Sequence, residues 1–491
     1  MIRISWTPAW RQGWHTAARA LLAGFAAIGI AQAQPALHSI APAPFWVLPM
    51  TPEAGRALPA EQVGRGVQYL LLDKQVRVSA QDRTTFQHVA SKVLNEQGLE
   101  NAANIEIRFD PSYQKLSLHA INVRRGAQVI AKLASAKVQI LQRESALESL
   151  IFDGSRTAHV FLEDVRVGDV IEYAYSLRGS NPVFGNRHFG GFDFQFSAPV
   201  DRLHARLLWP AGRPLYWKQL NEPPAAQVTQ AGDSREYRWD LRDIAPKTVE
   251  SDAPAWFDPY PSSQWSEFQS WQSVAAWAMP LYALPPIPGP RVLAVTNQIA
   301  QSQHQAPERL LAALHYVQSQ VRYLGIEVGP GSHAPNPPEL VLERRYGDCK
   351  DKTLLTVALL RGLGIAAQPA LVHTNARHTI ESQQPGPGAF NHVVVHARIG
   401  NRDIWLDPTR SPQRGGLDQL AQADFGRALI VDASTLGLVP MAGRQALASK
   451  REIHAVIDST DGLDKPARYT VTTTARGAAA DSLRNALDTQ S

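Results

Sequence analysis

Between residues 68 and 246, apolar and polar side chains alternate with a period of two. Ile105, Ile107 and Phe109 are interleaved with Glu106 and Arg108, and Ile171, Tyr173, Tyr175 and Leu177 with Glu172, Ala174 and Ser176. Leu203, Ala205, Leu207 and Trp209 repeat the pattern, as do Tyr237, Trp239 and Leu241. Successive side chains of a strand point to opposite faces, so each run predicts a strand with one apolar face. Turn residues at Arg125-Gly126, Val167-Gly168-Asp169 and Gly232-Asp233 separate the runs. The expected arrangement is an antiparallel β-sandwich of roughly 170–200 residues, with no catalytic cluster visible in it.

Residues 253–290 combine aromatics (Trp256, Phe257, Tyr260, Trp265, Phe268, Trp271, Trp277) with Pro285, Pro286, Pro288 and Pro290. An aromatic ligand platform, for a glycan for instance, is one reading. Aromatics supply so much apolar area that packing between two domains is the expected one. A domain boundary is placed near residues 280–290. From Arg291 the period becomes helical, over residues 292–301 and 307–321, the second opening on Pro307 and Glu308 as a first turn does. The Gly/Pro-rich loop over 325–338 has neither a Walker lysine nor a strand-to-helix glycine fingerprint, so phosphate binding is not expected of it.

The next helix carries the candidate chemistry. Arg345-Tyr346-Gly347-Asp348-Cys349-Lys350-Asp351-Lys352 runs into apolar residues 354–360 and ends at Gly362 and Gly364. Asp348 is suited to the N-cap, Asp351 to a capping partner in the first turn, and Cys349 becomes the first helical residue. Free amides and the positive dipole end there favour thiolate over thiol; Asp348 opposes this, and Lys350 and Lys352 offset it. The Cys349 amide is also placed to meet an oxyanion formed at its sulfur. A thiol nucleophile needs a base, and the base an orienting partner. Residues 366–373, 391–397 and 403–409 read as three strands, the second with His392 and His396, the third with Asp403 and ending in Asp407-Pro408. His392 and His396 share a face about 13 Å apart, so only one of them reaches Cys349. A zinc set of Cys349, His392 and Asp407 has acceptable ligand types but no close-spaced Cys or His pair to support it.

Composition narrows the setting. The 491 residues, 44% hydrophobic and 19% charged with average Gly and Pro, exclude disordered, fibrous and disulfide-stapled classes and suit two to four domains. The net charge is +5. Arg3, Arg11 and Arg19 precede twelve apolar residues at 20–31, and Ala31-Gln32-Ala33 has the small-x-small pattern of a cleavage site, so residues 1–33 are expected to be a signal peptide. Twelve apolar residues fall short of the ~18–20 that span a bilayer, and no later segment is long enough, so no transmembrane span is expected in the mature chain. Without the three leader arginines the mature chain of 458 residues carries +2, which implies no nucleic-acid partner. Export makes the single cysteine informative, since Cys349 has no intrachain partner. A buried apolar thiol is the plain alternative to a reactive one.

The run Tyr346-Gly347-Asp348-Cys349-Lys350-Asp351-Lys352, followed by Phe390-Asn391-His392 and Trp405-Leu406-Asp407-Pro408-Thr409, resembles the bacterial transglutaminase-like core, part of the papain-like thiol enzymes. The resemblance spans residues 285–412 and extends to Val321-Arg322-Tyr323-Leu324-Gly325-Ile326-Glu327. The β-rich region before it resembles the uncharacterised N-terminal domain of exported bacterial members. The resemblance implies Cys349 as nucleophile, His392 as base and Asp407 as orienting acid, with no cofactor and no metal. His396 and Asp403 are the nearest substitutes. The second oxyanion donor is unassigned among Gln320, Tyr323 and Tyr346.

The expectation is therefore an α+β multidomain chain. It comprises a signal peptide (1–33), a Pro/Ala-rich lead-in (34–67) and an antiparallel β-sandwich domain with its aromatic exit (68–284). A transglutaminase-like α+β core (285–412) follows, then a short β-containing C-terminal segment (413–491) that is either an add-on or the start of a further domain. The expected activity is that of an exported, periplasmic cysteine enzyme acting on amide bonds of a protein or peptide substrate in the cell envelope. Transamidation and hydrolysis, as peptidase or deamidase, are both open. The alternative is a catalytically silent envelope binding or scaffold protein that uses the β-sandwich domain.

Overall fold

Each alternating run lies on a strand in the computed structural model: Asn104–Phe109, Val170–Arg178, Val200–Pro210 and Ser234–Ile244. The structure describes residues 37–490 except 64–65, 144–146, 148–149, 411–412, 423, 442–448, 463 and 465. The expected signal peptide lies outside the described residues.

Nine strands form one large sheet. In spatial order it runs His38–Ile40, Lys115–Arg125, Val170–Arg178, Arg83–Val93, Val67–Val78, Val200–Pro210, Ser234–Ile244, Gln227–Ala231, with Gln128–Ala131 also on Lys115–Arg125. The expectation of an antiparallel sandwich is corrected here, because the sheet is mixed. Val200–Pro210 runs parallel to Val67–Val78, with Leu203 opposite Leu72, and His38–Ile40 runs parallel to Lys115–Arg125. Parallel neighbours need a long crossover rather than a hairpin, and alternation looks the same in either direction.

Two three-stranded sheets cover one face of the large sheet. Asn104–Phe109, Arg156–Phe161 and Val138–Leu141 pack through Ile105, Ile107, Ala158 and Val160 onto Leu116, Leu118 and Ile171. Phe189–Asp193, Ser262–Ser266 and Tyr216–Leu220 pack through Phe192 and Trp265 onto Val76, Leu203, Leu207 and Trp209. Leu177 lies opposite Thr85, and Thr85 opposite Val76, which puts both clusters on the same face. The other face is polar yet buried, carrying Asp73, Gln75, Glu172, Ser176 and His204. The Pro/Ala-rich lead-in covers part of it: Gln75 exchanges two hydrogen bonds with the Leu48 backbone (2.9 and 2.7 Å), and Arg206 donates to the Trp46 carbonyl at 2.6 Å. These bonds satisfy polar groups that would otherwise be costly to bury.

The second half is built on helices α1 (Pro290–Ser302), α2 (Ala306–Gln320), α3 (Pro338–Arg344) and α4 (Cys349–Gly362) and strands β1 (Ala366–Val372), β2 (His392–Ile399), β3 (Arg402–Leu406), β4 (Arg427–Ile430) and β5 (Val439–Pro440). The strands form an antiparallel sheet in the order β3-β2-β1-β4-β5. Val292, Leu310, Leu314, Val317, Leu355, Leu359, Val395 and Ile404 form the core between helices and sheet. Helix α4 is buried from Cys349 to Leu360. The aromatic segment packs as expected: Trp265 meets Trp209 (ring centroids 5.5 Å apart) in the β-rich part, while Phe268 and helix Trp271–Ala278 pack against Leu371, Val393 and Cys349. Beyond the core, Lys450–Asp458 and Arg468–Arg476 pair as an exposed hairpin, followed by helix Ala478–Gln490.

Candidate active site

Asp348 caps α4 as expected, its Oδ1 accepting from the amides of Lys350 (2.9 Å) and Asp351 (3.1 Å). The cap takes the next two amides and not that of Cys349 at the first helical position, for which no hydrogen bond is found among the described residues. Asp351 is not a capping partner. Its carboxylate turns the other way, accepting from the Asn336 amide at 2.6 Å and pairing with Arg344 of α3, so it pins α3 and the preceding loop to the helix start. Gly347 makes this close approach feasible: a Cβ there would lie 2.6 Å from the Asp351 Cβ.

Thr353 of α4 donates to the Val393 carbonyl at 3.0 Å and seats the helix start against the beginning of β2. His392 begins that strand. Its Nε2 lies 3.1 Å from Asp407 Oδ2, and its ring lines one pocket together with Cys349. Cys349 is 7% exposed, enough to reach a pocket. Asp407 lies just past β3; its Oδ1 accepts from the Thr409 amide (3.0 Å) and hydroxyl (2.6 Å), and its carbonyl accepts from Gln318 of α2 at 3.2 Å. The turn at Asp407-Pro408 and the pairing with His392 thus use different oxygens of one carboxylate. Thr409 and Gln318 as braces were not foreseen; the Asx-type spacing of Asp407 and Thr409 is a local signal, whereas Gln318 is remote in sequence.

Burial disfavours the charged His392, but hydrogen bonds to Asp407 and then Cys349 outweigh it and raise its pKa to about 10. Burial works against the Asp407 carboxylate too, and the His392 hydrogen bond prevails, holding its pKa below the usual carboxylate range. His396 is not part of this arrangement. Its Nε2 bonds Asp403 at 3.0 Å at the far end of the β2–β3 pair, and its ring tilts against Trp405. Among the described residues, Cys349, His392 and Asp407 do not bring three ligand atoms within 4.8 Å of one another, so they do not converge as a zinc set.

A pocket of ≈ 280 Å³ opens over Cys349 and His392, walled by Trp277, Tyr282, His333, Leu371 and Phe390. Glu327, Asp348 and Cys349 bring two carboxylate oxygens and the sulfur within 4.8 Å of one another. The Lys350 ammonium already fills the space between the carboxylates, 2.7 Å from Asp348 and 3.1 Å from Glu327. Burial opposes that charge, but Asp348 first, then Cys349 and Glu327, raise the Lys350 pKa above its ordinary value. Of the three residues considered for the second oxyanion donor, Gln320 is exposed at the end of α2 and Tyr346 lies under Arg344. Tyr323 is packed in the cluster that contains Cys349; Tyr282, not considered from sequence, joins that cluster and lines the pocket.

The β-rich part braces, from behind, the pocket residues Glu327, Ser332, His333 and Trp277. Ile151–Phe152 pairs in parallel with Gly325–Ile326, and the Glu327 amide donates to the Phe152 carbonyl at 2.7 Å. Asn181 donates to the Gly329 carbonyl (2.8 Å) and the Ser332 hydroxyl (3.0 Å), Trp277 donates to the Val183 carbonyl (2.9 Å), and Phe184 sits edge-on to His333.

Residues 293–408 match the family model of the transglutaminase-like superfamily, and residues 79–248 match DUF3857, described as a domain of unknown function with solved structure. The chain therefore carries a transglutaminase-like domain preceded by a DUF3857 domain. A candidate protease from Parabacteroides distasonis superposes with a TM-score of 0.63 at 14% identity, over 82% of this chain and 79% of that one, which shows a shared fold. A candidate cysteine protease from Cytophaga hutchinsonii (13% identity, 58% of this chain, 89% of that one, TM-score 0.20) is too divergent in superposition to carry an argument. The same holds for the periplasmic domain of TgpA from Pseudomonas aeruginosa (16%, 59%, 89%, TM-score 0.19). No curated protein matches the sequence.

Proposed function

We propose that the transglutaminase-like domain is a thiol acyl-transfer site built on Cys349, His392 and Asp407. The observation that carries this is the His392 ring, 3.1 Å from Asp407 through Nε2 and lining one pocket together with the Cys349 thiol. In this reading His392 already holds the thiol proton, and the Cys349 sulfur attacks an amide carbonyl, forming an S–C bond as the carbonyl π pair moves to oxygen. His392 then gives that proton to the departing nitrogen as the C–N bond breaks, leaving a thioester. Water or an amine, deprotonated by His392, attacks the thioester and returns the thiol. Asp407 holds the ring orientation and balances the imidazolium. The free Cys349 amide at the helix start is placed to stabilise the oxyanion.

The setting is part of the proposal. The leader-like residues 1–33 favour export, and a protein or peptide of the cell envelope is the substrate class that follows. No helix among the described residues is long and apolar enough to cross a membrane.

The chain has one cysteine, so thiol labelling reports on Cys349 alone. Iodoacetamide labelling of the full chain is expected to be fast and to slow strongly in His392→Gln. A peptide-amide probe is expected to leave an acyl adduct on Cys349, detected by mass spectrometry and absent in Cys349→Ala. Labelling at the rate of an ordinary free thiol, unchanged in His392→Gln and without an adduct, would overturn the reading in favour of a silent scaffold.

A further inference from the structure

Between the two small sheets the covered face of the large sheet is left open, and the gap is a cavity of ≈ 320 Å³ in the DUF3857 region. Its floor carries Lys74 and Arg83, and Arg187 and His188 lie on the loop that forms its side. Lys74 and Gln87 are opposite one another in the register of the sheet, so both point into this gap.

The cations here lack counter-charges. Lys74 Nζ donates to the Gly191 carbonyl at 2.9 Å and Arg83 donates to the Phe189 carbonyl at 3.0 Å. Both are half-buried, and no ion pair to a carboxylate is found for either among the described residues. Arg187 at the rim rests on the Phe268 ring, 4.9 Å from its centroid, also without an acid. The acids nearby are few and mostly committed. Asp193 acts on Lys74 from a distance, Glu267 is paired with Arg213, and Asp82 with Arg178. His188 is 2% exposed, and among the described residues its Nε2 has no hydrogen-bond partner. Carbonyl bonds satisfy donor geometry without neutralising charge, so three cations against one distant acid leave an excess of two positive charges beside a cavity. Desolvating unpaired charge is costly unless something supplies the opposite sign. Burial lowers the Arg83 pKa to about 10 and the Lys74 pKa below its ordinary value, in line with that cost.

We propose that this cavity is a binding site for a compact dianion, a phosphoryl or dicarboxylate group, held by Lys74, Arg83 and Arg187. Arg83, its guanidinium over the Trp265 ring (5.3 Å to the centroid), supplies the fork that planar or tetrahedral oxyanions accept; among the described residues its side chain makes no hydrogen bond besides that to Phe189. Lys74 adds a point charge, and His188, which lines the cavity, has an unpartnered Nε2 among the described residues. The site is separate from the Cys349 pocket and does not depend on the acyl-transfer reading.

Thermal unfolding of the full chain against inorganic phosphate, malonate and chloride at matched ionic strength tests it. Phosphate or malonate is expected to raise the melting temperature saturably, chloride not. Saturation by phosphate alone assigns a phosphoryl ligand, and saturation by malonate alone a dicarboxylate. Arg187→Ala, at an exposed rim position where the side chain rests on the Phe268 ring, is expected to keep the fold and to raise the half-saturation concentration roughly tenfold, and Arg83→Gln to abolish saturation. Circular dichroism establishes whether Arg83→Gln is folded; should it not be, Arg187→Ala decides. No saturable effect of either dianion on the unaltered chain, or an unchanged half-saturation in Arg187→Ala, overturns the proposal.

Discussion

His392 Nε2 lies 3.1 Å from Asp407 Oδ2, although 15 residues separate them and Asp407 sits beyond the end of its strand. The contact is possible because the Thr409 amide and hydroxyl hold the other oxygen, turning the carboxylate back toward the start of β2. Replacing the carboxylate by an amide keeps the shape and removes the charge. Asp407→Asn is therefore expected to lower kcat/KM by roughly 10²- to 10⁴-fold with little loss of fold, by analogy with orienting carboxylates elsewhere. Amide-probe turnover and the Cys349 alkylation rate, measured side by side, check it; equal rates in both proteins would remove Asp407 from the site.

Stability should respond to pH through the same pair. The His392 pKa is raised in the folded state to about 10, above an unfolded value of about 6.5. Its contribution is then complete below about 6.5 and is lost as pH rises through about 10. The Asp407 pKa is depressed, so its contribution is present above the unfolded carboxylate value of about 3.9 and is lost as pH falls below it. Denaturant unfolding at pH 6, 8 and 10 is expected to show falling stability on the alkaline side, and His392→Gln to flatten that limb. An identical slope in the variant would disconnect His392 from it.

Lys350 holds two carboxylates apart within reach of the sulfur. Removing the cation in Lys350→Met strands Asp348 and Glu327 as buried anions, and breaking such a pair costs about 3–5 kcal/mol. The variant is expected to lose stability and to alkylate more slowly, since unbalanced negative charge beside Cys349 disfavours the thiolate. Adding Glu327→Gln should restore part of both. A double variant no better than the single one would mean that Glu327 and Lys350 are not coupled; chemical denaturation and alkylation kinetics give the two readouts.

Gly347→Ala places a methyl 2.6 Å from the Asp351 Cβ, and Asp351 is held by the Asn336 amide and by Arg344. Neither side has freedom to yield. A loss of about 1–3 kcal/mol, the usual range for overpacking, is expected from urea unfolding, together with slower Cys349 labelling as the helix start shifts. Unchanged unfolding and labelling would show that the turn relaxes.

The local features of the site were legible in the residue string. Caps and periods act over a few residues, so Asp348 at the N-cap, Cys349 at the first helical position and the strands bearing His392 and Asp407 could be read without neighbours. Asp351 shows where that reading stops: its position fits a capping partner, but Asn336 and Arg344 arrive through the fold and take its carboxylate.

By itself the sequence determined the order of elements, the helix start that presents the thiol, and two histidine–aspartate options on adjacent strands. The motif resemblance singled out His392 with Asp407; periodicity alone could not, because His392 and His396 share one face of one strand and each has an acid within reach. The seat of α4 against β2, through Thr353 and Val393, puts Cys349 at the His392 end. Tertiary structure also decided strand direction in the large sheet, since a period of two is the same for parallel and antiparallel neighbours. It brought Ile151–Phe152 beside Gly325–Ile326 and so placed Glu327 at the sulfur, and it gathered Lys74, Arg83 and Arg187 around one gap. Contacts between residues more than a hundred positions apart leave no periodic trace in the sequence; the packing of the sheets creates them.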